Sequence, residues 1–382
     1  MEASRTVVAC FGTRPEVVKL APVVARLREG GRIRVVTVTT AQHRQLLDQT
    51  LAAFDMTPDV DLALMEPDQA LTSLSGHAIA TLGETFAELR PDAAIVQGDT
   101  TTAFCAAFAA FLSLIPVAHV EAGLRTYDPM RPFPEEINRR LVTAVARWNF
   151  CPTVDAADNL RREGVDPESI EVTGNTAIDA MHAVLAATEG KVHAPPRAAR
   201  HRVLVTLHRR ETQGDAQRAL CAMLARVAQR PDVEIVFPVH LSPAVRESVH
   251  AELSGSPNVH LLEPLGYAEF LAAMRSSDIV VTDSGGIQEE APSLDLPVLV
   301  MRDATERLEG VRSGCTRLVG TEPAGVEAAI AQLLDDPEEH ARMASSPNPY
   351  GDGRAAERIA TRLEHDLAGA GSAWPAGRVA VV

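Results

Sequence analysis

Val280-Val281-Thr282-Asp283-Ser284-Gly285-Gly286-Ile287-Gln288-Glu289-Glu290 is the stretch whose reading decides the fold. Its first residues, with Ile279, read as the end of a buried parallel strand. Gly285 and Gly286 read as a turn with little side-chain cover, and Ile287 onward as a helix. Unpaired N–H groups at a helix start, with the positive end of the helix dipole, suit phosphate oxygens, and glycines let an anion approach. Glu290, one turn in, is placed to accept hydrogen bonds from sugar hydroxyls. The same residues also read as an ordinary capped helix, with Asp283 or Ser284 as cap and Glu289 and Glu290 complementing the dipole. The rest of the chain has to separate the two.

Working outward, strands are predicted at residues 6–10, 33–39, 93–97, 116–120 and 170–173, alternating with helices that include 17–28, 71–89, 135–146 and 156–163. A helix is also expected from about His43 to Phe54, and an Ala-rich one runs to Ser113. A second alternating set follows a basic, proline-containing connection at 189–202: strands at 203–207, 234–238, 260–262, 278–282 and 297–300, and a last helix at 355–367. Such βαβ alternation implies parallel sheets. The expected fold class is α/β, two doubly wound Rossmann-like domains facing a cleft, with ligands at the carboxyl ends of the strands. A chain of 382 residues suits two such cores.

Composition excludes several functions. A formal charge of −15 disfavours nucleic acid and anionic membranes, so an anionic ligand needs a local basic pocket. The five cysteines lack any Cys-x-x-Cys pair, which argues for reduced thiols, a cytoplasmic location and no metal site. Residues 103–118 are short for a membrane span and broken by Pro116, and no secretory signal is expected. There is no Gly-x-Gly-x-x-Gly after a strand, no phosphate-binding P-loop and no Gly-x-Ser-x-Gly elbow, so nicotinamide redox, P-loop phosphoryl transfer and serine hydrolysis drop out.

The loops after the strands carry Arg14 and Glu16; Asp99; His119 and Glu121 with Arg125; His208-Arg209-Arg210-Glu211; and His240, all expected on the cleft side. Each has a bland reading: Asp99 before three threonines is a good helix cap, and Glu135-Glu136 after Pro134 suit a helix start. Five strand ends bearing acids, histidines and arginines are costly to bury unless they meet a ligand. The inventory fits a nucleotide-sugar enzyme, with cations for a diphosphate and carboxylates to move protons.

Gly12-Thr13-Arg14-Pro15-Glu16 with Lys19, Gln97-Gly98-Asp99-Thr100, His119-Val120-Glu121-Ala122-Gly123-Leu124-Arg125, Pro134-Glu135-Glu136 with Asn138-Arg139, Thr173-Gly174-Asn175-Thr176 and His208-Arg209-Arg210-Glu211 closely resemble the non-hydrolysing UDP-N-acetylglucosamine 2-epimerases of bacteria. The stretch Asp283 to Glu290, continued by Ala291-Pro292-Ser293-Leu294, and Asn348-Pro349-Tyr350-Gly351-Asp352-Gly353 extend the resemblance over nearly the whole chain. It implies the GT-B arrangement: an N-terminal domain at 1–174, a UDP-binding domain at 175–352 and a helix at 353–370 returning to the first domain; the tail at 371–382, small and weakly patterned, is expected to be poorly ordered.

The implied reaction removes the carbon-2 proton as UDP leaves carbon 1 in an anti elimination, then returns proton and UDP to give the epimer, without a cofactor. By resemblance Asp99, Glu121 and Glu135 are the acid/base candidates, and His208 is a further catalytic residue that would serve the diphosphate with Arg14. Arg14, Lys19, Arg209, Ser284, Gly285, Gly286 and Glu290 would hold UDP. Gln42, His43, Gln45, Glu136, Arg210 and His240 match positions lining a second, activating sugar-nucleotide site. Asp68, however, stands where some members have an activator-binding Arg, which leaves activation open. Thr212, Ser242, Gly266 and Leu308 depart from the usual pattern without removing a proposed catalytic group. A homodimer through first-domain helices is also implied. Competing readings are another UDP-2-acetamido sugar as substrate, a hydrolysing epimerase, a GT-B glycosyltransferase, or a silent sugar-nucleotide binder.

Overall fold

The computed structural model describes residues 5–40, 50–64, 69–207, 214–305 and 307–369. The expected helix from about His43 falls mostly outside these residues, as does the tail. Two compact units are resolved, one of residues 1–180 with 351–382 and the other of residues 181–350.

In the first unit, β1 (Arg5–Phe11), α1 (Arg14–Gly30), β2 (Ile33–Thr39), β3 (Val60–Asp61), α2 (Leu71–Leu89), β4 (Ala93–Gln97), α3 (Thr101–Leu112) and β5 (Val117–Val120) follow one another. They are succeeded by α4 (Glu135–Val145), β6 (Ala146–Cys151), α5 (Val154–Arg162), β7 (Ile170–Val172) and α6 (Thr176–Ala187), whose last turns belong to the second unit. The strands form one parallel sheet in the order β3-β2-β1-β4-β5-β6-β7. The order reverses between β1 and β4, and at such a switch point the loops diverge and leave room for a ligand.

Both faces of the sheet are covered, which explains why its strands are runs of Val, Ile and Ala rather than alternating patterns. On one face, Val17, Leu20, Val24 and Leu27 of α1 pack with Ile359, Ala360 and Leu363 of the last helix, α14 (Ala355–Gly369). On the other, Leu82 and Phe86 of α2 meet Ala103, Ala106 and Ala110 of α3. The Ala-rich face of α3 lets the two helices pack closely on Val8 and Val96. Trp148 in β6 is buried, and its indole N–H donates to Asp366 Oδ2 at 2.7 Å, tying α14 to this unit.

The second unit contains β8 (His201–Thr206), α7 (Asp215–Val227), β9 (Val233–Pro238), α8 (Pro243–Leu253), β10 (Val259–Leu262), α9 (Tyr267–Arg275) and β11 (Ile279–Thr282). After these come α10 (Gly285–Glu290), β12 (Val298–Val300), α11 (Leu308–Ser313), β13 (Thr316–Leu318), α12 (Pro323–Asp335) and α13 (Pro337–Ala344). Its sheet is also parallel, in the order β10-β9-β8-β11-β12-β13, with the switch between β8 and β11. The stretch that opened the sequence reading is therefore the central strand end of this unit. Arg202 and Glu234 lie fully buried at the opposite end, where Arg202 Nε meets Glu234 Oε1 at 2.6 Å and Nη2 donates to the Pro196 carbonyl at 2.8 Å. This pair fastens the basic connection at 189–202 to the sheet.

Candidate active site

In the first unit the site is built from three strand ends and one helix start. After β1 the chain turns at Gly12, where a Cβ would lie 2.3 Å from Thr40 Oγ1 and 2.4 Å from Thr102 Oγ1, so only glycine fits. Arg14 then opens α1, half-buried, its side chain making no hydrogen bond or ion pair among the described residues. Further along α1, Lys19 reaches Glu121 Oε1, while Gln97 at the end of β4 donates its amide to Glu121 Oε2. Both carboxylate oxygens thus accept, as an ionised carboxylate does. Glu121 has φ 66°, a left-handed conformation that costs a side-chain-bearing residue on the order of 1–3 kcal/mol. The lysine and the amide on either side hold it there.

Asp99 follows Gly98, whose φ of 68° turns the chain after β4. Its Oδ2 lies 2.5 Å from Arg139, and its backbone carbonyl accepts from Asn138 Nδ2 at 3.0 Å. Asn138 and Arg139 come from the first turns of α4, which also starts with Glu135. Burial pushes the Asp99 carboxyl up. Arg139 and Lys19 pull it down, Glu135 adds to the rise, and the balance is upward. One Glu135 oxygen, Oε2, is buried with no hydrogen-bond partner among the described residues. Beneath them, His119 is fully buried with Nε2 2.8 Å from the Gly98 carbonyl. Burial pushes its imidazolium down to about 4, so His119 is neutral, with the proton on Nε2 donated to Gly98.

Other residues named from sequence have partners within the first unit. Glu136 is fully buried and accepts from the Thr126 and Tyr127 N–H groups at 3.0 and 3.2 Å. It thereby braces the loop before α4. Arg125, expected with the ligand-facing groups, is spent on Glu163 at 2.8 Å, Thr143 at 3.3 Å and the Leu124 carbonyl at 2.8 Å, a brace onto α5. Lys19, expected to support a diphosphate, is engaged with Glu121.

In the second unit, Ser284, Gly285 and Gly286 turn β11 into α10, with the Ser284 N–H held on Thr282 Oγ1 at 2.9 Å. Glu290 Oε1 accepts from the Tyr267 hydroxyl at 3.2 Å. Against the turn lies Arg307, which the sequence reading did not single out. A Cβ on Gly285 would sit 2.6 Å from its Cζ, and Glu289 Oε1 accepts from its Nε at 2.8 Å. The bare turn, backed by a guanidinium that a carboxylate aims, suits an anion. No local pattern flagged Arg307, because its partner Glu289 lies in another element; Arg139 entered the sequence reading only as part of the motif that carries the family resemblance. His240 is exposed, its Nδ1 accepting from the Ser242 N–H at 3.1 Å. His208, Arg209, Arg210, Gln42, His43 and Gln45 lie outside the described residues, as do Thr212 and Asp68. Among the described residues no cluster of His, Cys, Asp or Glu is arranged to hold a metal ion.

Two parallel sheets flanked by helices, each with polar groups gathered at its switch point, define a GT-B-like α/β protein of two Rossmann-like units. A family model for UDP-N-acetylglucosamine 2-epimerase matches residues 25–364. The chain belongs to that family. It is 45% identical over 360 residues to the UDP-N-acetylglucosamine 2-epimerase of Bacillus subtilis, covering 94% of each chain. Among solved structures it resembles a putative UDP-N-acetylglucosamine 2-epimerase from Listeria monocytogenes, with TM-score 0.87, 40% identity and coverage of 99% of this chain and 100% of that one. It also resembles the UDP-GlcNAc 2-epimerase of Neisseria meningitidis bound to UDP-GlcNAc, with TM-score 0.85, 40% identity and coverage of 94% and 99%.

Proposed function

We propose that this protein interconverts UDP-N-acetylglucosamine and UDP-N-acetylmannosamine by anti elimination of UDP to a glycal and re-addition, without hydrolysis. The observation that carries the reading is the carboxylate cluster of the first unit, in which Glu121 is clamped by Lys19 and Gln97 while Asp99, beside Arg139 and Glu135, holds its proton more tightly than an ordinary aspartate. Inverting carbon 2 requires a base on one face of the sugar and an acid on the other, so two carboxyls in opposite protonation states are needed.

In the elimination the C2–H bond breaks, its electrons form the C1–C2 double bond, and the C1–O bond breaks with its pair leaving on UDP. The return step delivers a proton to the other face of carbon 2 and reforms the C1–O bond, so no oxidant or reductant is consumed. In this reading Arg14 of the first unit answers negative charge growing on the departing diphosphate, while in the second unit the Ser284-Gly285-Gly286 turn with Arg307 suits an anion and Glu290 suits ribose hydroxyls. His208 and Arg209 are proposed to join the diphosphate site on the strength of the motif they share with the family.

A homodimer is proposed as well, supported by exposed apolar side chains on two neighbouring helices, Phe111 and Leu112 on α3 and Ile137 and Leu141 on α4, which a second copy would cover. A cytoplasmic setting agrees with five buried free thiols. Purified protein incubated with UDP-N-acetylglucosamine and followed by proton NMR tests the reaction. Growth of the manno isomer with UDP still attached supports it; release of free sugar and UDP, or an unchanged spectrum, overturns it.

A further inference from the structure

Glu16 is fully buried, and no cation neutralises it among the described residues. A capping-box glutamate on a helix start needs no such burial, and enclosing a carboxylate without a counter-ion is costly unless donors surround it. Donors do. Oε2 accepts from the Gly12 N–H at 3.0 Å, the Thr13 N–H at 2.7 Å and the Thr13 hydroxyl at 2.7 Å. Oε1 accepts from the Thr100 hydroxyl at 2.6 Å, and that hydroxyl in turn accepts from the Ala103 N–H at 3.0 Å as the cap of α3.

One carboxylate therefore stands between the starts of α1 and α3, the helices that follow β1 and β4 on either side of the switch point. Its two oxygens take hold of the residues next to Arg14 and next to Asp99. We propose that Glu16 is a positioning residue that fixes the Arg14 turn and the Asp99 loop relative to one another. This rests on the function proposed above, in which Arg14 meets the departing diphosphate and Asp99 works at carbon 2. Anti elimination demands both in register, and misplacing a group by about 1 Å can lower the rate by about 10²-fold. Thr40 and Thr102, whose hydroxyls lie 2.8 Å apart over Gly12, close the same turn sterically but touch neither Arg14 nor Asp99.

The test uses Glu16→Ala, Glu16→Gln, Thr100→Val and Thr100→Ser in the full chain, with kcat for epimerisation and UDP affinity by calorimetry. Glutamine keeps an acceptor toward Gly12 and Thr13 and a donor toward Thr100, and serine keeps the hydroxyl, so both should retain kcat within about threefold. Thr100→Val cuts only the Asp99 side: kcat should fall by about 10²-fold while UDP binds as in the unmodified protein. Glu16→Ala should lower kcat and also weaken UDP binding, but in the Arg14→Ala background it should cost no further UDP affinity, because Glu16 acts on the nucleotide through Arg14. A purely structural brace would lower thermal stability and leave kcat of the folded variants unchanged. That result, or additive losses of UDP affinity in the Arg14→Ala, Glu16→Ala double variant, overturns the proposal. If the unmodified protein binds UDP and epimerises nothing, the reaction assigned above has failed, while the Arg14 and Glu16 affinity cycle still decides this one.

Discussion

Gly285→Ala puts the proposed anion site to a quantitative test. The new methyl would lie 2.6 Å from Arg307 Cζ and Nη1 and 2.9 Å from Nη2, closer than real contacts allow. Something must move, and the guanidinium is the end of a flexible side chain. Moving it breaks the two contacts, each 2.8 Å, that Nε and Nη2 make with Glu289 Oε1, and takes the cation off the turn. Backbone strain is not the issue, since Gly285 does not adopt a positive φ, and alanine is the better helix former by about 1 kcal/mol, so the fold should be preserved. Loss of one charge-assisted hydrogen bond to the diphosphate corresponds to about 1.5–3 kcal/mol, or roughly 10- to 150-fold in Kd. Calorimetric titration with UDP reads this directly. The loss should vanish in the Arg307→Ala background, because the methyl acts only through Arg307. A Gly285→Ala protein that binds UDP within twofold of the unmodified chain would refute the placement of the anion.

Other consequences follow from the same geometry. Arg139→Gln removes a group that lowers the Asp99 carboxyl, so Asp99 should titrate at still higher pH; the limb of the pH–rate profile assigned to Asp99 should shift upward, and a fixed limb would detach Asp99 from the chemistry. Lys19→Met leaves Glu121 a partly buried carboxylate without its cation, which should lower kcat by roughly 10²-fold or more with little change in UDP affinity; loss of affinity alone would instead place Lys19 at the diphosphate. Leu363→Ala, in the face of α14 buried on the first unit, should cost about 2–5 kcal/mol in denaturant unfolding of that unit, and an unchanged midpoint would contradict the docking of this helix.

Asp366 supplies a pH test of stability. Burial pushes its carboxyl up, but hydrogen bonds from Arg362, Trp148 and His365 outweigh it and bring the value down to about 2. A depressed carboxyl stabilises the fold above its unfolded value of about 3.8, and the contribution is lost as pH falls from there through about 2. Asp366→Asn should therefore lower the melting temperature at pH 6 by a few degrees and converge on the unmodified protein in acid. Equal melting temperatures at pH 6 would show that the Trp148 and Arg362 contacts contribute nothing.

The double α/β pattern was legible because strands buried on both faces read as short apolar runs between amphipathic helices, and the expected fold class and family resemblance are both borne out. The strand β6 was missed for a physical reason: α4 passes directly into it at Ala146, whose backbone is already extended, so no glycine, proline or polar turn marks the change. The short edge strands β3 and β13, of two and three residues, leave too little sequence to show a period. The switch-point rule put Arg14, Asp99, Glu121 and the Ser284 turn just after their strands, where the structure has them, but did not give what each one touches. Lys19 reaches Glu121 from another element, Arg125 bends back onto Glu163, and Arg307 reaches Gly285 across the second unit. Those pairings depend on how the chain closes, which residue types at given spacings do not encode.

The central claim is that the carbon-2 proton is lost to the protein while UDP departs and a different proton returns. Running the reaction in heavy water and observing carbon 2 by NMR tests it most directly. The account requires deuterium at carbon 2 of the manno isomer and, as the reaction reverses, of the gluco isomer, at rates that collapse together in Asp99→Asn or Glu121→Gln. Epimer formed with protium retained at carbon 2 would contradict it.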